Sequence, residues 1–146
     1  LYTYGGMGLC SSIALGASLG TQGKVLSLDG DGSLLMNLGT LASIGREKPQ
    51  NLIIVAFDNG KWAQTGNQLS HTSFGTDLEE VSKACGIAQT VSVSSEQEFA
   101  RHFEIALNNS GPWFILAKIE ESENLPFPPI LPEINLTQFR ATFLTK

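Results

Sequence analysis

Residues 51–57 (Asn-Leu-Ile-Ile-Val-Ala-Phe) form a continuous apolar, β-branched run that stops at Asp58-Asn59-Gly60. That is the pattern of a strand buried on both faces of a parallel sheet. A shorter apolar run over 24–28 ends in Asp29-Gly30-Asp31-Gly32-Ser33, after which helical periodicity resumes over 34–44 and closes at Gly45. The order predicted is strand, tight glycine turn, helix. Upstream, Met7, Cys10, Ala14 and Ala17 recur at helical spacing, predicting a helix over 7–19 in which Ala14 and Gly16 permit close approach to a sheet. Downstream, Asp77 has the place of an N-cap for a helix that runs to Cys85 and closes on Gly86, and 90–93 reads as a strand. Ser95 with Glu98 has the form of a capping box for a helix to Leu107, and Asn109-Ser110-Gly111-Pro112 turns the chain into a last strand over 113–119. Helix and strand alternate throughout. The prediction is an α/β fold of three layers, with a mainly parallel sheet covered by helices on both faces.

Two segments depart from this alternation. Residues 61–76 are polar and glycine-containing without periodicity, the mark of a long functional loop. Beyond residue 119, Pro126, Pro128, Pro129 and Pro132 are four of the six prolines and predict a tail over 120–146 that wraps the surface and ends in a short helix over 136–144. The expected organisation is one body over 1–119 followed by that tail. No internal repeat is visible.

The 146 residues suffice for one core, and a formal net charge of −5 with scattered basic residues excludes a nucleic-acid surface. Cys10 and Cys85 lie in apolar, helix-like contexts, which suits reduced thiols in the cytoplasm better than a disulfide framework. The apolar stretch over 7–19 has no Lys or Arg before it and is interrupted by Gly and Ser, unlike a signal-peptide core, and nothing is long enough to span a bilayer. The chain opens on Leu1, as a fragment or a processed product would.

Chemistry gathers where two strands end. Strands of a parallel sheet deliver their carboxyl ends to one edge, where ligands of open α/β sheets bind. One strand–helix–strand crossover separates Asp31 from Asn59, so the two can converge there. A carboxylate, an amide oxygen and a main-chain carbonyl form a hard, all-oxygen set suited to Mg²⁺. Gly32 and Ser33 begin the next helix, whose N–H groups would hold a phosphate. Gly-Asp-Gly by itself is also an ordinary turn; the joint pattern points to a diphosphate bridged by Mg²⁺.

Gly30-Asp31-Gly32-Ser33 followed by Asp58-Asn59-Gly60 resembles the metal and diphosphate motif of thiamine diphosphate enzymes, in which Gly-Asp-Gly is followed further along by Asn-Asn. Asp58 replaces the first Asn. The resemblance implies Asp31, Asn59 and the main-chain carbonyl of Lys61 as Mg²⁺ ligands. Gly5-Gly6-Met7-Gly8 is similar to the segment in which such decarboxylases place a bulky apolar residue under the bent cofactor. Met7 would be that prop, with the Gly5 carbonyl accepting from the aminopyrimidine amine, although a solitary Met at a helix start is otherwise a core residue. The loop from Asp58 through Lys61, Trp62, Thr65, Gly66, Asn67 and Gln68, then His71-Thr72, resembles sulfopyruvate and phosphonopyruvate decarboxylases. Trp62 would wall the pocket. His71 would serve an anionic substrate or a proton transfer, or else be a solvated loop residue. The bland reading holds for His102 on a helix surface, for Trp113 in the core and for the two thiols.

In this family a Glu from a separate pyrimidine-binding domain protonates the cofactor, and no such domain is visible: Glu47, Glu79, Glu80, Glu96, Glu98 and Glu104 fall on predicted helix surfaces. The resemblance therefore implies half an active site, completed by a pyrimidine-binding subunit or domain in a homo- or hetero-oligomer. The favoured function is the diphosphate-binding subunit of a thiamine diphosphate- and Mg²⁺-dependent decarboxylase of a small anionic 2-oxo acid. The alternatives are a fragment of another such enzyme, acetolactate synthase-like or benzoylformate decarboxylase-like, or a non-catalytic cofactor-binding module. Which 2-oxo acid is left open.

Overall fold

The computed structural model describes residues 1–120 and 129–144. Pro126 and Pro128 of the expected tail lie outside the described residues. Four parallel strands, β1 (Val25–Gly30), β2 (Leu52–Asp58), β5 (Gln89–Val93) and β6 (Trp113–Lys118), form one sheet in the order β1-β2-β6-β5. Helices α1 (Cys10–Leu19), α3 (Gly39–Glu47) and α4 (Leu78–Ala84), with the short α2 (Asp31–Leu35), build a core on one face around Leu41, Ile44, Leu52, Ile54, Leu78, Ile87 and Phe114. Helix α5 (Glu96–Asn108) covers the other face, where Ile53, Val55, Val93, Ala106 and Ile115 meet Phe99 and Phe103. The predicted three-layer α/β architecture is the one observed.

The β2 run earns its central place by burial. Leu52 to Ala56 are each no more than 1 % exposed, because β1 and β6 flank the strand and helices close both faces. β1, at the sheet edge, has the reverse polarity. Ser27 and Asp29 point inward while Leu26 and Leu28 stand 44 % and 55 % exposed on the face that α5 covers further along. The inward side chains answer α1, whose buried positions are the small residues Ser11, Ala14 and Ser18. Ser11 Oγ donates to Asp29 Oδ2 at 3.1 Å, and Cys10 Sγ contacts Ser27 Oγ at 3.3 Å. Burial pushes the Cys10 thiol up. Gly16, expected at the sheet, is exposed with open space around it; the serines and Ala14 provide the close approach.

Several predicted boundaries shift for identifiable reasons. Helix α1 starts at Cys10 rather than at 7, because Gly5 and Gly8 both take positive φ (67° and 86°) and turn the chain first. The periodic stretch over 34–44 is two helices. Met36, Asn37, Thr40 and Leu41 N–H groups each bond three residues back, a tightening that separates α2 from α3. Gly45 does not end α3, which continues to Glu47 and closes on Lys48 in the left-handed region. Instead Gly45 is a crossing point, since a Cβ there would lie 1.8 Å from the Cys85 carbonyl oxygen. Asp77 caps α4 as expected, Oδ1 accepting from the N–H groups of Glu79 and Glu80. In α5, Ser95 Oγ accepts from Glu98 N–H while the Glu98 carboxylate reaches back to Ser94 rather than Ser95, a capping box shifted by one residue.

The segment over 61–76 is more ordered than its composition suggests. It folds as a small antiparallel hairpin, β3 (Lys61–Trp62) with β4 (Gln68–Leu69), followed by a 3₁₀ turn at His71–Phe74. The last helix, α6, covers Pro132–Leu144 and so begins before the predicted 136; Pro132 sits at its first position, where its fixed φ suits a helix start. Among the described residues no helix is long and apolar enough to cross a membrane.

Gly45→Ala tests the crossing of α3 against the turn after α4. With backbone as the obstructing atom, we expect a loss of about 3 kcal/mol of stability in urea unfolding; a loss below about 0.5 kcal/mol would show that the two segments separate freely.

Candidate functional site

The register of β1 against β2 pairs Gly30 with Phe57, so Asp31 and the Asp58-Asn59 corner leave the sheet side by side at its carboxyl edge. Asp31 is 2 % exposed and Asp58 4 %. They are joined through the returning loop. Ser70 Oγ donates to Asp31 Oδ2, Thr72 Oγ1 lies 3.2 Å from that same oxygen and 2.8 Å from Asp58 Oδ1, and the two hydroxyls are 2.8 Å apart. Lys118 closes the far side with an ion pair to Asp58 Oδ2. Sequence alone assigns no role to Ser70 or Lys118 and names Thr72 only as the neighbour of His71 in the loop motif; Ser70 and Thr72 lie in an aperiodic stretch, and Lys118 falls inside a predicted strand.

Burial drives the Asp31 carboxyl above the ordinary carboxylate range; the bond from Ser70 opposes this and the Asp58 charge adds to it. Burial would raise Asp58 as well, yet the bonds from Lys118, Thr72 and the Gly60 N–H outweigh it and hold Asp58 below that range. Proton counting shows what the cluster lacks. With both carboxylates ionised, two hydroxyl protons must serve four oxygen–oxygen contacts. Lys118 supplies positive charge on the Asp58 side, and the Asp31 side has the chemistry of a cation ligand.

The next turns are held as tightly. Asp58 Oδ1 accepts from Gly60 N–H at 2.9 Å and Asn59 Oδ1 from Lys61 N–H at 3.0 Å, two successive Asx turns. The Gly60 carbonyl in turn accepts from Ser70 N–H and Ser73 Oγ, both at 2.7 Å. Asn59 and Lys61 therefore belong to one tight corner beside Asp31. Among the described residues no three His, Cys, Asp or Glu side chains gather as metal ligands, so a metal here would draw on one carboxylate with amide and main-chain oxygens, a set that fits Mg²⁺.

Trp62 covers the first turn of α2. A Cβ on Gly32 would lie 2.8 Å from its indole Cε3, so glycine is required there to seat the ring. His71 is exposed, its imidazole edge-on to that indole with centroids 6.3 Å apart, outside the buried cluster that its neighbour Thr72 joins. Ser33, expected at a phosphate, accepts from Gly8 N–H at 3.0 Å, and Asn37 Nδ2 donates to the Gly8 carbonyl at 3.1 Å. Those two bonds fasten the Gly5-Gly6-Met7-Gly8 turn to α2, with Met7 half-buried between the fixed points. α2 has only five residues, so its dipole is weaker than a long helix would supply. From the other side, Asn135 of α6 pairs with both main-chain groups of Tyr2, and Tyr4 Oη donates to the Pro129 carbonyl. None of the described glutamates is buried.

The family model "Thiamine pyrophosphate enzyme, C-terminal TPP binding domain" matches residues 1–117, with the Gly-Asp-Gly turn and the Asn59 corner inside the match. The chain belongs to this family. It is 45% identical over 134 residues to the sulfopyruvate decarboxylase subunit beta of Methanocaldococcus jannaschii, covering 89% of this chain and 71% of that one. It is 34% identical over 146 residues to the phosphonopyruvate decarboxylase of Streptomyces viridochromogenes, covering 99% of this chain but 36% of the relative. Among solved structures it resembles the Rhodococcus jostii thiamine diphosphate-dependent 4-hydroxybenzoylformate decarboxylase with a TM-score of 0.69 at 22% identity, over 83% of this chain and 24% of that one. This last likeness shows the fold alone: an α/β domain that corresponds to about a quarter of the larger chain.

The two carboxylates should affect stability with opposite signs. A group raised on folding, as Asp31 is, contributes stability while protonated and loses it as pH rises through its folded pKa; Asp58, lowered on folding, loses its contribution as pH falls. Asp31→Asn should therefore raise the melting temperature of the ligand-free chain at about pH 7, with the gain shrinking toward about pH 4 as the parent protonates. Thermal unfolding followed by circular dichroism checks it, and a pH-independent difference would show that the cluster carries the Asp31 charge without strain.

Proposed function

We propose that this chain is the diphosphate-binding part of a thiamine diphosphate- and Mg²⁺-dependent decarboxylase acting on a small 2-oxo acid with a terminal sulfonate or phosphonate. The observation that carries it is the convergence of Asp31 and the Asn59-Gly60-Lys61 corner around a proton-poor oxygen cluster. Support for the substrate class comes from kinship with a sulfopyruvate and a phosphonopyruvate decarboxylase.

In this reading residues 1–119 form the cofactor-binding body and 120–146 the tail, whose Pro129 and Asn135 hold Tyr4 and Tyr2. Asp31, the Asn59 amide oxygen and the Lys61 carbonyl hold Mg²⁺; Gly30, Gly32 and Ser33 line the diphosphate; Gly5, Gly6 and Met7 support the thiamine. When bound, thiamine diphosphate supplies the electron sink that decarboxylation needs. Ser70 and Thr72 aim the Asp31 carboxylate, and Trp62 excludes water from the start of α2. His71 beside it donates to the anionic substrate. That no described glutamate is buried supports a carboxylate for the pyrimidine ring that comes from a partner. A homo- or hetero-oligomer with a pyrimidine-binding subunit or domain completes the site. In the Methanocaldococcus relative the matching segment belongs to a subunit beta, whereas in the Streptomyces relative it is about a third of one polypeptide; either arrangement supplies such a partner. Two unpaired thiols suit the cytoplasm.

The test is reconstitution. The chain alone, with Mg²⁺ and thiamine diphosphate, should be inactive toward sulfopyruvate and phosphonopyruvate and gain activity with a pyrimidine-binding polypeptide; turnover by the verified single chain would overturn the half-site reading. In the assembled enzyme, Met7→Ala should lower kcat roughly tenfold while cofactor affinity changes less than about threefold, and an unchanged kcat would return Met7 to a packing role.

A further inference from the structure

The geometry points to Lys118 as a positioning residue: paired by strand register with Asp58, it holds the corner that presents Asn59 and Lys61, so that Asp58 and Lys118 act together as one neutral unit. This rests on the proposed metal site only in its last step, from a held corner to a bound cation.

Register comes first. Asp58 ends β2, Lys118 ends β6, and the two are Cα partners in the parallel ladder, which extends one bond further through Ile119 N–H to the Asp58 carbonyl at 3.0 Å. Like their neighbours Ala56 and Leu116, they face the core formed with α1, α3 and α4. The backbone thus delivers the ammonium to the carboxylate.

Asp58 then divides its oxygens. Oδ2 takes Lys118, while Oδ1 takes both the Thr72 hydroxyl and the Gly60 N–H. Rotating that carboxylate would release the Gly60 turn and the Thr72 latch together, and the Asn59 turn follows directly in the chain. Lys118 is half-exposed but Asp58 is buried, so removing the cation leaves a buried charge that must turn toward water and draw the corner with it. An amide at 58 would keep the two Oδ1 bonds without needing a cation. The resemblance to enzymes with Asn in that place is consistent with an Asp–Lys pair doing the work of one neutral side chain.

The test is hydrogen–deuterium exchange of the amides over 59–62 in the full chain without ligands, with Mg²⁺-dependent thiamine diphosphate binding by calorimetry alongside. Lys118→Met should speed that exchange roughly tenfold while leaving amides over 53–56 unchanged, and Lys118→Arg, which keeps the cation, should resemble the parent. Adding Asp58→Asn to Lys118→Met should return exchange to within about threefold of the parent, with cofactor affinity following the same order. Unchanged exchange in Lys118→Met, or a double variant at least as fast as the single, would overturn the proposal. If exchange follows the expected order but the parent chain takes up no thiamine diphosphate with Mg²⁺ even in the presence of a pyrimidine-binding polypeptide, the positioning role stands and the cofactor reading fails.

Discussion

A single hydroxyl proton governs the carboxyl edge of this sheet. Thr72 lies within bonding reach of Asp31, Asp58 and Ser70 and has one proton to give. Because that contact joins the end of β1 to the end of β2 through a loop that returns from 59–69, it turns two separate strand ends into one site. The cost is an oxygen cluster short of positive charge, and the fold offsets part of it with Lys118. What remains is a cluster still short of positive charge on the Asp31 side, so the proposed metal site and the residual instability of the cluster would have the same origin.

The strands were legible because burial on both sides leaves no freedom of composition: Ile53, Ile54 and Val55 could not be read otherwise. The Asp31 and Asn59 pair was legible for a similar reason, since one crossover fixes where two strand ends emerge. Three things were hidden. Polarity along β1 is inverted because its inward neighbours Ser27 and Asp29 answer serines of α1, a cross-element pairing that no single-strand pattern displays. Gly45 looked like a helix stop, whereas its reason is the carbonyl of Cys85, forty residues along the chain. Ser70, Thr72 and Lys118 become meaningful only once the loop and β6 are in place, and each is an ordinary surface residue type.

The turn at Gly5-Gly6-Met7-Gly8 illustrates how a short helix can serve as an anchor. Ser33 and Asn37 hold Gly8 from below, and Asn135 with Pro129 holds Tyr2 and Tyr4 from the outer side. Met7 lies between restraints that come from both ends of the polypeptide. Its placement is therefore not a property of its own segment. The same side chain on the same local sequence would be free to wander if either α2 or α6 were displaced.

Trp62 lies against Gly32 at the carboxyl edge, while Trp113 opens β6 at the amino edge and packs beside the α5 core. The chain has no other tryptophan. Its tryptophan emission thus comes from two sources at opposite margins of one sheet, one bordering the oxygen cluster and one removed from it by the length of a strand. Replacing Trp113 with phenylalanine would leave a protein whose tryptophan fluorescence, excited where phenols do not absorb, speaks for the edge beside Asp31 alone, an optical channel already built into the fold.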